Sequence, residues 1–245
     1  MKTNRRILVL DVGGTHVKLL VTGGKPMGKP MGKPIMTQPI LIPSGPTMTP
    51  QSMVRQVKAT VKTIPYDVVS IGYPGPVVHG RPLREPYNLG KGWVGFNFRK
   101  ALGRPVKIVN DAAMQALGSY KKGRMLFLGL GTGLGSAMIA NGIVEPMELA
   151  HLPYKHGKTY EDYLGIRGLK RLGRKKWLRE VSKVVSLLTA ALEPQDVVLG
   201  GGNAKKLKKL PPGTRLGNND NAFRGGFELW NNDKDNDTDH RRFSS

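Results

Sequence analysis

Ile7-Leu-Val-Leu-Asp-Val-Gly-Gly-Thr-His-Val-Lys-Leu-Leu-Val-Thr22 is the stretch on which the fold turns. Its first half belongs to a near-continuous apolar run, Arg6–Val12, that stops at two glycines. Its second half, His16–Thr22, resumes the apolar pattern. A buried strand, a tight turn and a second strand fit that pattern, so the segment reads as a hairpin. The first strand delivers Asp11 to the edge of the glycine turn.

Working outward, the unit Lys-Pro-Met-Gly repeats between Gly24 and Pro34. A short, cationic, proline-rich repeat cannot bury a core, so it is expected to be an exposed loop. Ile35–Ile42 reads as a third strand. Thr49-Pro50-Gln51-Ser52 opens an amphipathic helix to about Thr63. A strand over Val68–Gly72 runs into the turn Tyr73-Pro74-Gly75-Pro76, and a further strand is expected over Pro105–Val109. Asp111 then caps a helix reaching Tyr120. Met125–Leu130 and Ser136–Ile139 read as strands around a glycine turn, Tyr160–Leu172 and Lys175–Leu192 as helices. Asp196–Leu199 is a strand entering Gly200-Gly-Gly-Asn203. A strand hairpin followed by alternating helices and strands, seen twice, predicts two α/β lobes. The expected boundaries are 1–112 and 113–218, with a last helix at about 219–231 folding back on the first lobe. The polar tail 232–245 is expected to be disordered.

Composition narrows the class of protein. The chain has no cysteine, which excludes disulfides, thiolate zinc sites and cysteine nucleophiles and fits a reducing, cytoplasmic setting. The apolar run Ile7–Leu10 is too short for a secretory signal. Met125–Val144 is uncharged and about as long as a membrane span. Its five glycines favour strand, turn and strand, so no membrane segment is expected. Lys and Arg number 39 against 17 Asp and Glu, a formal charge of +22. Such an excess points to a polyanionic partner unless the basic face is merely solvated.

Three glycine-rich turns follow predicted strands: Asp11–Thr15, Gly129–Gly135 and Gly200–Asn203. Glycine lets backbone N–H groups approach phosphate oxygens. One such turn usually only turns; three at strand ends form a signal. Gly129–Gly135 loosely fits a dinucleotide fingerprint, but no acidic residue follows at the required distance. Asp11 can cap its hairpin or hold Mg²⁺, through water, against phosphates. Asn110-Asp111 can cap its helix, and a carboxylate there can also accept the proton of an attacking hydroxyl. Glu148, His151 and Glu161 add acceptors of the kind that bind sugar hydroxyls in pairs. Each alone would be unremarkable.

Together, Asp11-Val-Gly-Gly-Thr-His-Val-Lys18, Gly72-Tyr-Pro-Gly-Pro-Val77, Val109-Asn-Asp-Ala112, Leu128-Gly-Leu-Gly-Thr-Gly-Leu-Gly135, Glu148-Leu-Ala-His151 and Leu199-Gly-Gly-Gly-Asn203 resemble the ROK family of sugar kinases. The subgroup of polyphosphate glucokinases shares the character of Tyr160-Glu-Asp-Tyr163, Leu172-Gly-Arg-Lys-Lys-Trp177 and Asn221-Ala-Phe223. The resemblance implies the α/β, two-lobed, actin-like (ribonuclease H-like) sugar kinase fold with a central cleft, whose closure excludes water. It implies Asp111 as catalytic base, with Gly75, Asn110, Glu148, His151 and Glu161 around the sugar. It implies Asp11, Gly13, Gly14 and Thr15 with Gly131, Thr132, Gly133 and Gly135 as the phosphate motifs. Gly200, Gly201, Gly202 and Asn203 match the adenosine motif. Many members carry a cysteine-rich zinc motif after the Glu-x-Gly-His segment. This chain lacks it, so His151 is assigned to sugar, no zinc is expected, and Ala150 stands where the motif has glycine.

The implied activity is transfer of a phosphoryl group to glucose with Mg²⁺ and with ATP, inorganic polyphosphate or both as donor, in a homodimer. The basic stretch Arg167–Arg179 and the run Lys205–Lys209 are solvated faces or a polyphosphate track. Two other classes remain in view. A sugar-responsive repressor of the same family needs a DNA-binding element ahead of the first strand, and a strand starting near Arg6 is expected to leave no room. A nucleic-acid binder would rest on the charge, yet only Trp177 interleaves with the basic run, so no stacking platform and no specific nucleic acid are expected.

Overall fold

The computed structural model describes residues 5–22, 36, 38–218 and 220–230. The Lys-Pro-Met-Gly repeat and the tail 232–245 lie outside the described residues. The chain divides into two compact units. Unit 1 takes the described residues up to Asp111 and those from Phe223; unit 2 is Ala112–Ala222.

In unit 1, β1 (Ile7–Val12), β2 (His16–Thr22), β3 (Ile40–Pro43), β4 (Val68–Tyr73) and β7 (Val106–Asn110) form one sheet, ordered β3-β2-β1-β4-β7. The first three strands are antiparallel neighbours, and β1, β4 and β7 run parallel. β1 is central and covered on both faces, which explains its unbroken apolar sequence. Leu8, Leu10 and Val12 face a core built with Met53, Val54 and Val57 of α1 (Pro50–Thr60) and Phe98 and Leu102 of α2 (Phe98–Leu102). α1 starts where its sequence dictates. Thr49 and Ser52 form a capping box and Pro50 occupies the first turn. On the other face of β1, α6 (Asn221–Glu228) brings Gly226 against Val9, an approach that a Cβ would block. Ser70 Oγ donates to the Gly226 carbonyl at 2.5 Å, and Trp230 Nε1 donates to Ser70 Oγ at 2.9 Å. A two-strand ribbon, β5 (Val77–Val78) and β6 (Arg81–Pro82), turns through His79 and Gly80, both at positive φ.

Unit 2 repeats the plan. β8 (Arg124–Leu130), β9 (Leu134–Ala140), β10 (Ile143–Met147), β11 (Asp196–Gly200) and β12 (Thr214–Leu216) are ordered β10-β9-β8-β11-β12, again two antiparallel pairings followed by two parallel ones. α3 (Asp111–Ser119) supplies Ala112, Ala113 and Ala116 to one face, against Met125, Phe127 and Val198. α5 (Ile166–Leu192) covers the other with Trp177, Val181, Val184, Val185 and Leu188.

Several expected boundaries differ. The strand read over Ile35–Ile42 is described only as Ile40–Pro43. The helix expected over Tyr160–Leu172 is divided into α4 (Tyr160–Leu164) and the first part of α5, while the helix expected over Lys175–Leu192 is the second part of α5. The break falls at Gly165 because the backbone there is extended and lies against the Thr132 carbonyl and Gly133. The gap expected between Leu172 and Lys175 is present: Gly173, at φ 71°, is non-helical and kinks α5 into two helices. The last helix is Asn221–Glu228, and α3 begins on Asp111 itself.

Candidate active site

In unit 1 the candidate residues gather at the C-terminal ends of adjacent parallel strands. β1 delivers Asp11, buried and directly opposite Lys18 in the β1–β2 register. Lys18 Nζ donates to Asp11 Oδ2 at 3.1 Å, so the carboxylate is held from one side. The turn Gly13-Gly14-Thr15 is tied down by Ser44, whose Oγ donates to the Gly13 carbonyl at 2.6 Å and whose N–H donates to the Thr15 carbonyl at 2.9 Å. Two carbonyls of the turn are thus engaged by one serine. Gly14 is required for a close approach: a Cβ there would stand 2.8 Å from Asn88 Cβ.

β4 and β7 end together, with Tyr73 opposite Asn110. Asn110 Nδ2 donates to the Gly75 carbonyl at 3.0 Å, fixing the turn after β4 to the end of β7. Tyr73 braces this turn from below. Its ring is buried, its hydroxyl donates to the Arg84 carbonyl at 2.8 Å, and burial, with Glu85 nearby, pushes that hydroxyl's pKa well up. Asp111 follows Asn110 as the first residue of α3, half-buried. Gly75, Asn110 and Asp111 therefore form one local group.

In unit 2 the second and third glycine turns are bonded into one framework. β8 and β11 are parallel, with Gly129 opposite Gly200. Asn203 N–H donates to the Leu130 carbonyl and Asn203 Nδ2 to the Gly131 carbonyl, both at 2.9 Å. Gly201 sits at φ +80°, where a Cβ would meet the Leu130 carbonyl oxygen at 2.6 Å. Thr132 is fixed from outside, its carbonyl accepting the Ile166 N–H at 3.1 Å. Gly135 packs on Ala112, and Gly202 is exposed.

Glu161 joins this framework more closely than a sugar ligand need do. Its Oε2 accepts the Leu134 N–H at 3.2 Å and lies against Gly133, and its Oε1 accepts from Arg167 at 3.3 Å. α4, which carries it, opens on a capping box between Thr159 and Asp162. Asp162 has its pKa lowered, first by the Thr159 backbone N–H.

Glu148 and His151 lie elsewhere in unit 2, around the 3₁₀ turn Leu149–His151. Their side chains are 53% and 69% exposed, with His151 Nε2 and Glu148 Oε2 3.7 Å apart. The buried Ser136 holds this segment, donating to the Met147 carbonyl at 2.7 Å and accepting the Leu149 N–H at 3.1 Å.

Three arginines of the basic runs make defined contacts. Arg167 reaches Glu161 and Asp162, Arg171 donates to the Asp162 carbonyl, and Arg174 donates twice to the Lys206 carbonyl, which joins α5 to the 205–209 run. Lys170, Lys175, Lys176, Lys205, Lys206, Lys208 and Lys209 are exposed, and among the described residues no salt bridge holds them. Reading the sequence left Lys18, Ser44, Asn88 and Ser136 without roles. Lys18 alone had a readable signal, since a hairpin centred on Gly13–Thr15 pairs it with Asp11.

No protein-family model matches the chain. It is 29% identical to a polyphosphate glucokinase of Mycobacterium tuberculosis over 226 residues, 86% of this chain and 82% of that protein. A polyphosphate glucokinase of Mycobacterium leprae is 26% identical over 219 residues, 83% of this chain and 65% of that one. Among solved structures, the inorganic polyphosphate/ATP-glucomannokinase of Arthrobacter sp. strain KM matches with a TM-score of 0.75 and 25% identity, over 92% of this chain and 98% of that chain. A ROK family glucokinase of Streptomyces griseus, solved with glucose and AMPPNP, matches in fold with a TM-score of 0.69 at 16% identity, over 91% and 98%.

Proposed function

We propose that this chain, a homologue of polyphosphate glucokinases with the fold of the ROK sugar kinases, is itself a glucokinase. It carries a phosphoryl group from polyphosphate or ATP to the 6-hydroxyl of glucose, with Asp111 as general base. The observation that carries this reading is the junction of β4 and β7. Asn110 is clamped to the Gly75 carbonyl, and the next residue is a carboxylate at the first turn of a helix. A base must be held at fixed reach of the hydroxyl it deprotonates, and this junction supplies the rigidity.

The residues divide the chemistry. Asn110, Glu148 and His151 bind sugar hydroxyls, Glu161 does so while also bracing the Gly131–Gly135 turn, and Asp111 accepts the proton as the hydroxyl attacks. Backbone N–H groups of the three glycine turns stabilise charge on the donor phosphates. Among the described residues no group of three or more acidic or His side chains gathers as a metal cage. Asp11 is a single buried carboxylate, and that fits Mg²⁺, which keeps several waters and binds through one or two carboxylates plus substrate phosphates. Such an ion would neutralise phosphate charge when bound with the donor. Lys18 keeps Asp11 oriented.

The exposed lysines of α5 and the 205–209 run support polyphosphate as donor, because a polyanion is gained by displacing counterions from just such a surface. They equally support a second reading, binding of a nucleic acid without turnover. A coupled assay of glucose and mannose, each with ATP and with polyphosphate, decides. Glucose 6-phosphate formed at enzymatic rates, with activity on polyphosphate falling steeply with salt, sustains the proposal. No turnover with either donor, together with a gel shift at physiological salt, replaces it by the second reading. Among the described residues no helix is long and apolar enough to cross a membrane.

A further inference from the structure

We propose that Glu180 is a positioning residue for the sugar side of the site, pinning the loop that carries His151 through Tyr154 and Lys155. This rests on the reading of Glu148 and His151 as sugar ligands.

A single 3₁₀ turn cannot hold its own shape, so Leu149–His151 depends on what grips it at each end. Ser136 grips the front. Behind it the chain makes an excursion bridged at Pro153 and Thr159 and turned through His156 and Gly157, both at positive φ. The Tyr154 N–H donates to the Lys158 carbonyl at 2.8 Å, which closes this small loop on itself without tying its tip to α5. The anchor is Glu180 on α5. Its Oε2 accepts from both the Tyr154 hydroxyl and Lys155 Nζ at 2.7 Å.

Glu180 is a costly residue to keep unless it is used. Its side chain is only 15% exposed. Burial alone would raise its pKa, yet the Lys155 and Tyr154 donors outweigh burial and bring the carboxyl below its usual range. The Tyr154 ring then packs on Tyr160 and Tyr163 of α4, at centroid distances of 5.2 and 5.0 Å, and Lys155 lies over the Tyr154 ring at 4.5 Å. α4 is held independently by its capping box and by Trp177 Nε1 donating to the Leu164 carbonyl at 2.9 Å. The base of the excursion is tied to α4 by the Tyr160 N–H, which donates to the Leu152 carbonyl at 3.1 Å. What Glu180 adds is the hold on its Tyr154–Lys155 part, just after His151. None of these groups belongs to unit 1, which holds Asp111, so slackening the loop should weaken sugar binding and leave the proton transfer alone.

The test uses Glu180→Ala, Tyr154→Phe and the double variant in the full chain. Loss of a charge-assisted anchor should raise the KM for glucose about tenfold in Glu180→Ala, with kcat within about twofold. Tyr154→Phe should give a smaller rise of the same kind. The double variant should match Glu180→Ala, because both remove one shared contact. Glu180→Gln, which keeps an acceptor for Tyr154, should recover part of the loss. The Kd for glucose by isothermal titration carries the same comparison without turnover, so a wild-type protein inactive with every donor sinks the kinase reading and still leaves this one testable. A folded Tyr154→Phe or Glu180→Ala protein with unchanged glucose affinity, whatever its melting temperature, overturns the proposal. So does a wild-type protein that binds no hexose.

Discussion

β1 and β4 of unit 1 end with Asp11 opposite Gly72, and β8 and β11 of unit 2 end with Gly129 opposite Gly200. These positions are equivalent, because the two sheets share strand order and direction. Unit 1 places a buried carboxylate there, held by a lysine, and unit 2 leaves bare backbone. The faces behind them follow the same rule. Gly226 of α6 packs on Val9 in one unit, and Ala112 of α3 packs on Gly135 in the other. One scaffold thus carries two kinds of strand end: a buried, lysine-paired carboxylate in unit 1 and side-chain-free backbone in unit 2. The difference lies in a handful of strand-end residues and owes little to the cores.

The strongest way to break this contrast is at the unit 1 strand ends. Asp111→Asn should leave glucose binding intact and cut kcat by about a thousandfold, read in the coupled assay. A variant retaining most of its turnover would move the base elsewhere. Next comes the tolerance of the turns. Gly201→Ala meets both a positive φ and the Leu130 carbonyl, so it should cost about 3 kcal/mol in denaturant unfolding. Gly14→Ala presses only on Asn88 and should cost about half as much. Equal costs would mean that the two turns are not differently built.

The third test is on charge. Lys205→Gln with Lys206→Gln should raise the KM for polyphosphate several-fold, flatten its salt dependence by roughly one and a half units of slope, and leave the KM for ATP alone. The smallest effect concerns an ion pair that each unit places where its second parallel strand begins. Arg215 and Asp196 in unit 2 are joined by bonds of 2.6 to 3.1 Å, with Arg215 also donating to the Ser119 carbonyl, and are the less exposed pair. Arg6 and Asp67 in unit 1 are more open to solvent. Asp196→Asn should therefore lower stability by about 1 kcal/mol and Asp67→Asn by less. The Arg6 side-chain hydrogen bond, with its backbone N–H, holds the Asp67 carboxyl below its usual range. Its contribution is thus present above the ordinary carboxylate pKa of about 4 and fades as pH falls through the lowered folded value. Thermal melts of the Asp67 variant and wild type should converge in that acid range.

Much of this was legible in the residues because the signals were local. The hairpin around Gly13–Thr15, the capped start of α1, and the strand–turn–strand of 124–140 each follow from a short pattern. β10 was missed although Asn141-Gly142, both at positive φ, is a strong hairpin signal that the uncharged run around it concealed. The joining of the second and third glycine turns by Asn203 was not legible. It connects residues about seventy positions apart, and no spacing encodes such a contact. Glu161 shows the same limit. Its residue type announced an acceptor, but only the fold reveals that its first partner is the backbone of Leu134.

The division of labour in the basic surface has a consequence for how that surface can be altered. The guanidinium groups of Arg171 and Arg174 fasten α5 to its own neighbours, whereas the exposed lysines of the two runs carry primary amines. Amines can be acylated one by one, and guanidinium groups resist the same reagents. The positive charge of this surface can therefore be lowered by lysine chemistry while the arginine contacts beneath stay closed.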